Sequence, residues 1–220
     1  MPSIEGGGVE KNFLLVTNFI SKTFNKITVI TSNKREARLQ LSNKIKIIGP
    51  NLNIHSFSSR YPKYFFCLLF LVKILIFSRP SLVFAFQANI YASIISKLFL
   101  TDIIIRSNSS SDGWSKNKIK SILYKIFLKI PNDVIVNSYD FKKELDKKFN
   151  IKTIVIYNPL NKKEIIKKSK EKLNLKFFQT KKHLKLINIG RLVDQKDQLT
   201  ILKALKIIKK KTKFQTINSR

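Results

Sequence analysis

Short runs of β-branched residues alternate with stretches of helical apolar spacing through the first two-thirds of the chain, and that alternation limits the fold more than any other feature. The runs are KITVITS (26–32), SLVFAF (81–86), DIIIRS (102–107), DVIVNS (133–138) and TIVIYN (153–158), with LNIHSF (52–57) as a weaker candidate. Val9, Phe13, Val16 and Ile20 stripe one face of a helix ahead of the first run. Ala88 to Phe99, Lys116 to Ile130 and Tyr139 to Phe149 carry the same spacing between later runs. Strand, helix, strand in that order is the βαβ unit, whose strands lie parallel. Ile103 to Ile105 and Val134 to Val136 are apolar at every position, as strands covered by helices on both faces are. The expected class is therefore α/β, with a doubly wound, Rossmann-like domain.

After Asn158 and Pro159 the pattern changes to a Lys/Glu-rich helical stretch with almost no aromatic residue before Phe177, and an apolar strand then opens at HLKLINIG (183–190). The expected organisation is a first domain over 1–158, a helical crossover over 159–182, and the beginning of a second domain over 183–220. That last part offers one strand, the loop GRLVDQKDQ and a helix from about Asp197 to Lys210. One strand and one helix do not close a core. The second domain is accordingly expected to be truncated: KFQ (213–215) begins like a strand, yet polar TINSR follows where an apolar run is needed. PSIEGGG reads as the end of a strand and a phosphate-facing loop, so the first strand is expected to be clipped as well.

Composition sets the remaining bounds. At 220 residues with 44% hydrophobic content, the chain can bury a core without disulfides. Its one cysteine, Cys67, lies in an apolar run, and no CxxC or Cys/His cluster suggests zinc, so no metal is expected. No charged start followed by an apolar core marks a secretory leader, which points to a cytoplasmic protein. The longest apolar run, Tyr64 to Phe77, is shorter than the roughly 20 residues a spanning helix needs. It is expected to be a core or half-buried helix, with a place in the bilayer interface left open because Lys63, Lys73 and Arg79 surround it. The formal net charge of +30 favours anionic partners, although Lys scattered among Ile, Asn, Phe and Leu is also what a strongly AT-biased genome encodes. The clusters KKEIIKKSKEK (162–172) and KIIKKKTK (206–213) read as solvated helix without interleaved aromatics to stack on bases, so nucleic acid is not expected as a partner.

Two places carry candidate chemistry. Gly6, Gly7 and Gly8 stand directly before a helical stripe, where backbone can approach a phosphate at a helix N-terminus; an ordinary flexible turn is the plain alternative. Neither GxGxxG nor GxxxxGK[ST] occurs, which counts against dinucleotide oxidoreductases and P-loop NTPases. In INIGRLVDQKDQLTILKAL (187–205), a strand ends at Gly190, Arg191 follows, and Lys196 stands at a helix start. Two cations at the carboxyl edge of a strand can hold a nucleotide diphosphate and the charge that develops on it as a leaving group; a polar strand-to-helix turn is the alternative. RSNSSSDGWS (106–115) is either an acceptor-binding loop or a surface turn. His55 and His183, the only histidines, are read as surface or strand residues.

The strand-GRLVDQKD-helix segment resembles the opening of the donor domain in glycosyltransferase family four, whose GT-B architecture sets two Rossmann-like domains face to face. PSIEGGGVEKN (2–12) is similar to the family's first glycine-rich loop, NSYDFKKEL (137–145) to its serine-containing strand-to-helix turn, and IYNPL (156–160) to the segment before its interdomain crossover. The resemblance implies a retaining, metal-independent enzyme that moves sugar from a nucleotide-sugar donor to a lipid-linked or polysaccharide acceptor in cell-envelope glycan synthesis. It implies that Arg191 and Lys196 hold the donor diphosphate, that Gly7 and Gly8 line the cleft beside it, and that Arg106, Ser107 and Asn108 lie near the transferred sugar or the acceptor. No cofactor is implied, the nucleotide sugar being substrate. The family's paired glutamates, seven residues apart, would fall beyond Arg220, so half of the donor pocket is not in this sequence. A membrane-attached acceptor would fit peripheral contact with an anionic membrane at its inner face. The rival expectations are a non-catalytic remnant or basic anion- and membrane-surface binding protein, and, on the charge of +30 alone, a nucleic-acid binder.

Overall fold

The computed structural model describes residues 1–4, 6–50, 59–108, 118–171, 184–190, 192–209 and 214–219. Its elements alternate as the sequence pattern expects: α1 (Gly8–Ile20), β1 (Thr28–Ile30), α2 (Lys34–Gln40), β2 (Lys46–Ile48), α3 (Arg60–Phe77), β3 (Leu82–Ala85), α4 (Asn89–Leu98), β4 (Asp102–Arg106), α5 (Lys118–Phe127), β5 (Asp133–Val136), α6 (Tyr139–Phe149) and β6 (Ile154–Val155). These lie in one compact unit, Met1–Leu160. The second, Asn161–Arg220, holds α7 (Lys162–Ser169), β7 (Leu184–Ile189), a 3₁₀ turn, α8 (Gln198–Lys209) and β8 (Phe214–Ser219).

Among the described residues all strand pairs are parallel: β1 with β2, β3 through β6 in order, and β7 with β8. This is the Rossmann-like α/β class. The N-terminal segment 1–4 runs alongside β1, with the Met1 amino group donating to Ile30 O at 3.1 Å and Ser32 N donating to Pro2 O at 3.0 Å. Its other flank meets the end of β3, where Ser3 N and Oγ donate to Gln87 Oε1 at 3.2 and 3.3 Å. Across the unit the order is thus β2, β1, segment 1–4, β3, β4, β5, β6.

Successive strand residues feed two cores, one per face. Val29, Phe84 and Phe86 pack with Phe13 and Leu14 of α1 and Ala37 of α2. Ile30, Val83 and Ala85 pack with Leu71 and Leu75 of α3, Ala92 of α4 and the Phe141, Leu145, Phe149 stripe of α6. Ile103, Ile105, Val134 and Val136 are all buried in this second core. The period of two along a strand produces this split.

Local signals explain the ends of the elements. Ser138 caps α6 by accepting from Phe141 N at 3.2 Å, Asp140 sits in its first turn, Lys147 and Lys148 in its last, and Asn150 ends it in the left-handed conformation at φ 50°. Ser59 caps α3, and Pro62 falls in the first turn, where a missing N–H costs nothing. Gly49 follows β2 with its Cα so close to the carbonyl of Thr31 that a Cβ would overlap it.

Three expectations need adjustment. The LNIHSF strand candidate lies outside the described residues, and the strand observed in that part of the chain is Lys46–Ile48, whose lysine-flanked sequence gives weak periodicity over so short a span. The short helix α2, rich in Arg, Lys and Gln, was also not marked by apolar spacing. Polar TINSR does not interrupt a strand: Phe214–Ser219 pairs with Leu184–Ile189 along six residues, because the ladder is made by backbone groups and tolerates polar side chains at an edge.

One polar cluster ties α6 to β6. Asp146 accepts from Thr153 N at 2.9 Å, Thr153 Oγ1 at 2.8 Å and Lys142 Nζ at 2.5 Å. Burial alone would raise the Asp146 pKa, but these hydrogen bonds, that of Lys142 foremost, outweigh it and hold the carboxyl below its usual value. A depressed folded pKa contributes stability above the unfolded value of about 3.9 and loses it as pH falls through the folded one. Asp146→Asn should lower stability by about 1–3 kcal/mol in urea unfolding at neutral pH. The gap between the two proteins should close as pH is lowered below about 4.

Candidate functional site

In a parallel sheet of this kind, ligands bind outside the carboxyl ends of the strands, where the winding reverses. Here the reversal falls between segment 1–4 and β3, since the chain winds outward to β2 on one side and to β6 on the other. The side chains at this edge are mainly amides.

Gln87, just after β3, is the joint. Its Oε1 accepts from Ser3, and its Nε2 lies 3.5 Å from Glu10 Oε1 on α1. Asn33 Oδ1 accepts from Ile4 N at 3.3 Å on the other side of the segment. The chain then passes into Gly6, at φ 84°, a conformation that glycine alone adopts without cost, and Gly7 takes the N-cap position of α1. Gly7 and Gly8 are exposed, and a Cβ at Gly8 would meet nothing within 4 Å. Gly7 has no side chain to cap the first N–H groups of α1, which lie at the positive end of the helix dipole. Glu10 partly answers that charge: a Cβ on Gly7 would overlap its carboxylate, so an incoming anion meets the protein's own carboxylate there.

The end of β4 lies next along the edge. Asn108 Nδ2 donates to Phe86 O and to Arg106 O, both at 3.3 Å, and Asn89 Nδ2 donates to Arg106 O at 2.9 Å. Arg106 itself is 1% exposed. Its Nη2 donates to Ile156 O at 2.9 Å and to Asn158 Oδ1 at 2.8 Å, so it fastens the chain beyond β6 to the sheet edge. No carboxylate pairs with it among the described residues. Burial pushes its pKa down from the usual value, yet a guanidinium keeps its proton at any ordinary pH. Arg106 Nε, Ser107 Oγ and Asn89 Oδ1 are buried without a hydrogen-bond partner. Ala88, between Gln87 and α4, is held in the left-handed region at φ 54°. Non-glycine residues in that region cost about 1–2 kcal/mol and cluster at functional edges.

The sequence-derived residues are thus partly assembled. Gly7 and Gly8 stand on the same edge as Arg106, Ser107 and Asn108, joined to them through Gln87 and Phe86. Arg106 and Ser107 are buried, so of those three only Asn108 presents part of its side chain outward. Lys196 belongs to the second unit: it is exposed in the 3₁₀ turn Asp194–Lys196, and its stem passes Gly190 at the end of β7, where a Cβ would lie 3.6 Å from Cγ. Asp197 follows in the left-handed conformation and caps α8 by accepting from Thr200 N at 3.3 Å. Arg191, His55, His183 and the serines 109–111 lie outside the described residues.

Gln87, Glu10, Asn33, Asn89 and Asn158 were not marked in the sequence. The available signal was position, since Gln87 directly follows one strand run and Asn158 ends another. Among the described residues no group of acidic, Cys or His side chains could hold a metal. No protein-family model matches the chain, and no curated protein matches it either.

Arg106→Met should cost about 1.5–3 kcal/mol for each charged hydrogen bond it removes, measured by chemical unfolding. Asn158→Ala should cost less, because Ile156 O keeps its donor.

Proposed function

We propose that Met1–Leu160 is the acceptor-side domain of a GT-B glycosyltransferase resembling family four, acting on a nucleotide diphosphate sugar and a lipid-linked or polysaccharide acceptor of the cell envelope. The observation that carries this reading is the reversal point of the sheet, where the exposed N-terminus of α1 at Gly7 and Gly8 and the Arg106–Asn108 turn share one edge through Gln87. An α/β edge of this kind suits a phosphorylated sugar: helix N–H groups take negative charge, and amides that both donate and accept suit hydroxyl groups.

Within this reading Lys196, together with Arg191, neutralises the donor diphosphate, so that charge on the departing nucleotide is met by fixed cations and no metal is required. Asn108 faces the sugar or acceptor hydroxyls. Arg106 and Ser107 act from beneath, holding the edge in shape. Glu10 tunes the α1 terminus, since its carboxylate must yield if a phosphate is to approach Gly7 and Gly8.

The test is direct binding of UDP and GDP to the intact chain, followed by ligand-observed NMR in the presence of EDTA. Saturable binding in the millimolar range is expected, weakened about tenfold by Lys196→Ala and strengthened by Glu10→Gln. Absence of saturable binding up to roughly 10 mM nucleotide, or binding that neither variant changes, would overturn the assignment.

A further inference from the structure

α3 is apolar on two opposite sides. Cys67, Leu71 and Leu75 turn inward and are buried, while Tyr61, Phe65, Leu69, Ile76 and Phe77 form a second, exposed stripe in which Lys73 is the one charge. Phe65 is 59% exposed and Phe77 77%. α4 packs against α3, and α5 against α4, so their outward sides continue one flank of the unit. Leu98 of α4 and Ile122 and Ile126 of α5 are exposed on it.

The charges on this flank have one sign. From Ser59 to Thr101, and again from Lys118 to Pro131, the sequence contains no Asp or Glu. Lys73, Lys97 and Lys125 are exposed there. Lys63, one of the three cations around the apolar run, is buried. Between α3 and the β1–β2 edge lies a groove of about 260 Å³ walled by Ile48, Phe70, Ile74 and Phe77, with Lys46 and Lys73 also lining it.

Exposed aliphatic and aromatic side chains mixed with uncompensated lysines select among occupants. A second copy of the same flank would bring cations against cations, and nucleic acid would leave the leucine and isoleucine side chains without burial. An anionic bilayer satisfies both, with apolar side chains entering at the boundary of headgroups and acyl chains while lysines reach phosphates. Lying along the interface requires no spanning length, and among the described residues no helix is long and apolar enough to cross a membrane. We propose that the α3–α4–α5 flank seats the protein on an anionic phospholipid bilayer, with the Lys46/Lys73 groove against the headgroups. This surface is independent of the glycosyl-transfer reading, and nucleotide binding can fail while it stands.

The test is sedimentation of the intact chain with phosphatidylcholine vesicles, with and without phosphatidylglycerol. Binding is expected only when the anionic lipid is present. Phe65→Ser/Leu69→Ser/Phe77→Ser and, separately, Lys73→Glu/Lys97→Glu/Lys125→Glu should each lower the partition coefficient at least about tenfold. The charge-matched Lys162→Glu/Lys163→Glu/Lys167→Glu on α7 should lower it much less. The charge variant alters only exposed side chains, so a folding defect in the serine variant leaves a clean comparison. Equal loss from the α7 variant would overturn the proposal in favour of net charge alone. Unchanged vesicle binding by the flank variants, or a dimer in light scattering that they dissolve without affecting vesicle binding, would overturn it too.

Discussion

β4 and β5 are covered on one face by α3, α4 and α6, and hydrogen-bonded on both edges, so almost every polar group of their backbones has to be met by a neighbouring strand. That demand organises the first unit. These strands pair in parallel, and a parallel pair cannot be closed by a hairpin, so each connection crosses through a helix. Parallel strands then bring all their carboxyl ends to one edge, and the loops there are free to carry polar side chains without disturbing the packing beneath.

The edge is finished with amides. Gln87, Asn33, Asn108, Asn89 and Asn158 each connect two segments, and segment 1–4 is held laterally by Gln87 and Asn33 side chains in addition to backbone bonds. An amide offers a donor and an acceptor at once, so it can bridge two backbones that are not in ladder register. Arg106 is the one fully buried cation of this cluster. Its bonds to Ile156 O and Asn158 Oδ1 substitute for the counter-ion a buried guanidinium usually finds, which makes the backbone beyond β6 part of the solvation shell of that charge.

Much of the layering was legible because it follows from side-chain period. Ile103 to Ile105 and Val134 to Val136 are unbroken apolar runs, and they became strands whose Ile103, Ile105, Val134 and Val136 are buried in the core. The helical stripe of Val9, Phe13 and Val16 marked α1 for the same reason. What escaped notice had weak periodicity: β2 is three residues long beside lysine, and α2 carries four charged residues in seven. Gly6 to Gly8 and Arg106 to Asn108 could be named from their place after strands, but the sequence does not say which side chain bridges them, because Gln87 is 84 residues from Ser3 and 77 from Glu10. Nor does a sequence reveal that Arg106 points inward; that depends on the orientation of one residue at a strand end.

The flank without acidic residues bears on the physical state of the protein in dilute buffer. Its lysines have no carboxylates of their own helices to neutralise them, and the whole chain carries +30, so compaction works against self-repulsion that water screens poorly at low ionic strength. At about 0.15 M salt the screening length shrinks to about 8 Å, shorter than the span of three adjacent helices. Dissolved electrolyte therefore does for the free protein part of what a negatively charged surface would do, relaxing the mutual repulsion that the fold otherwise has to contain.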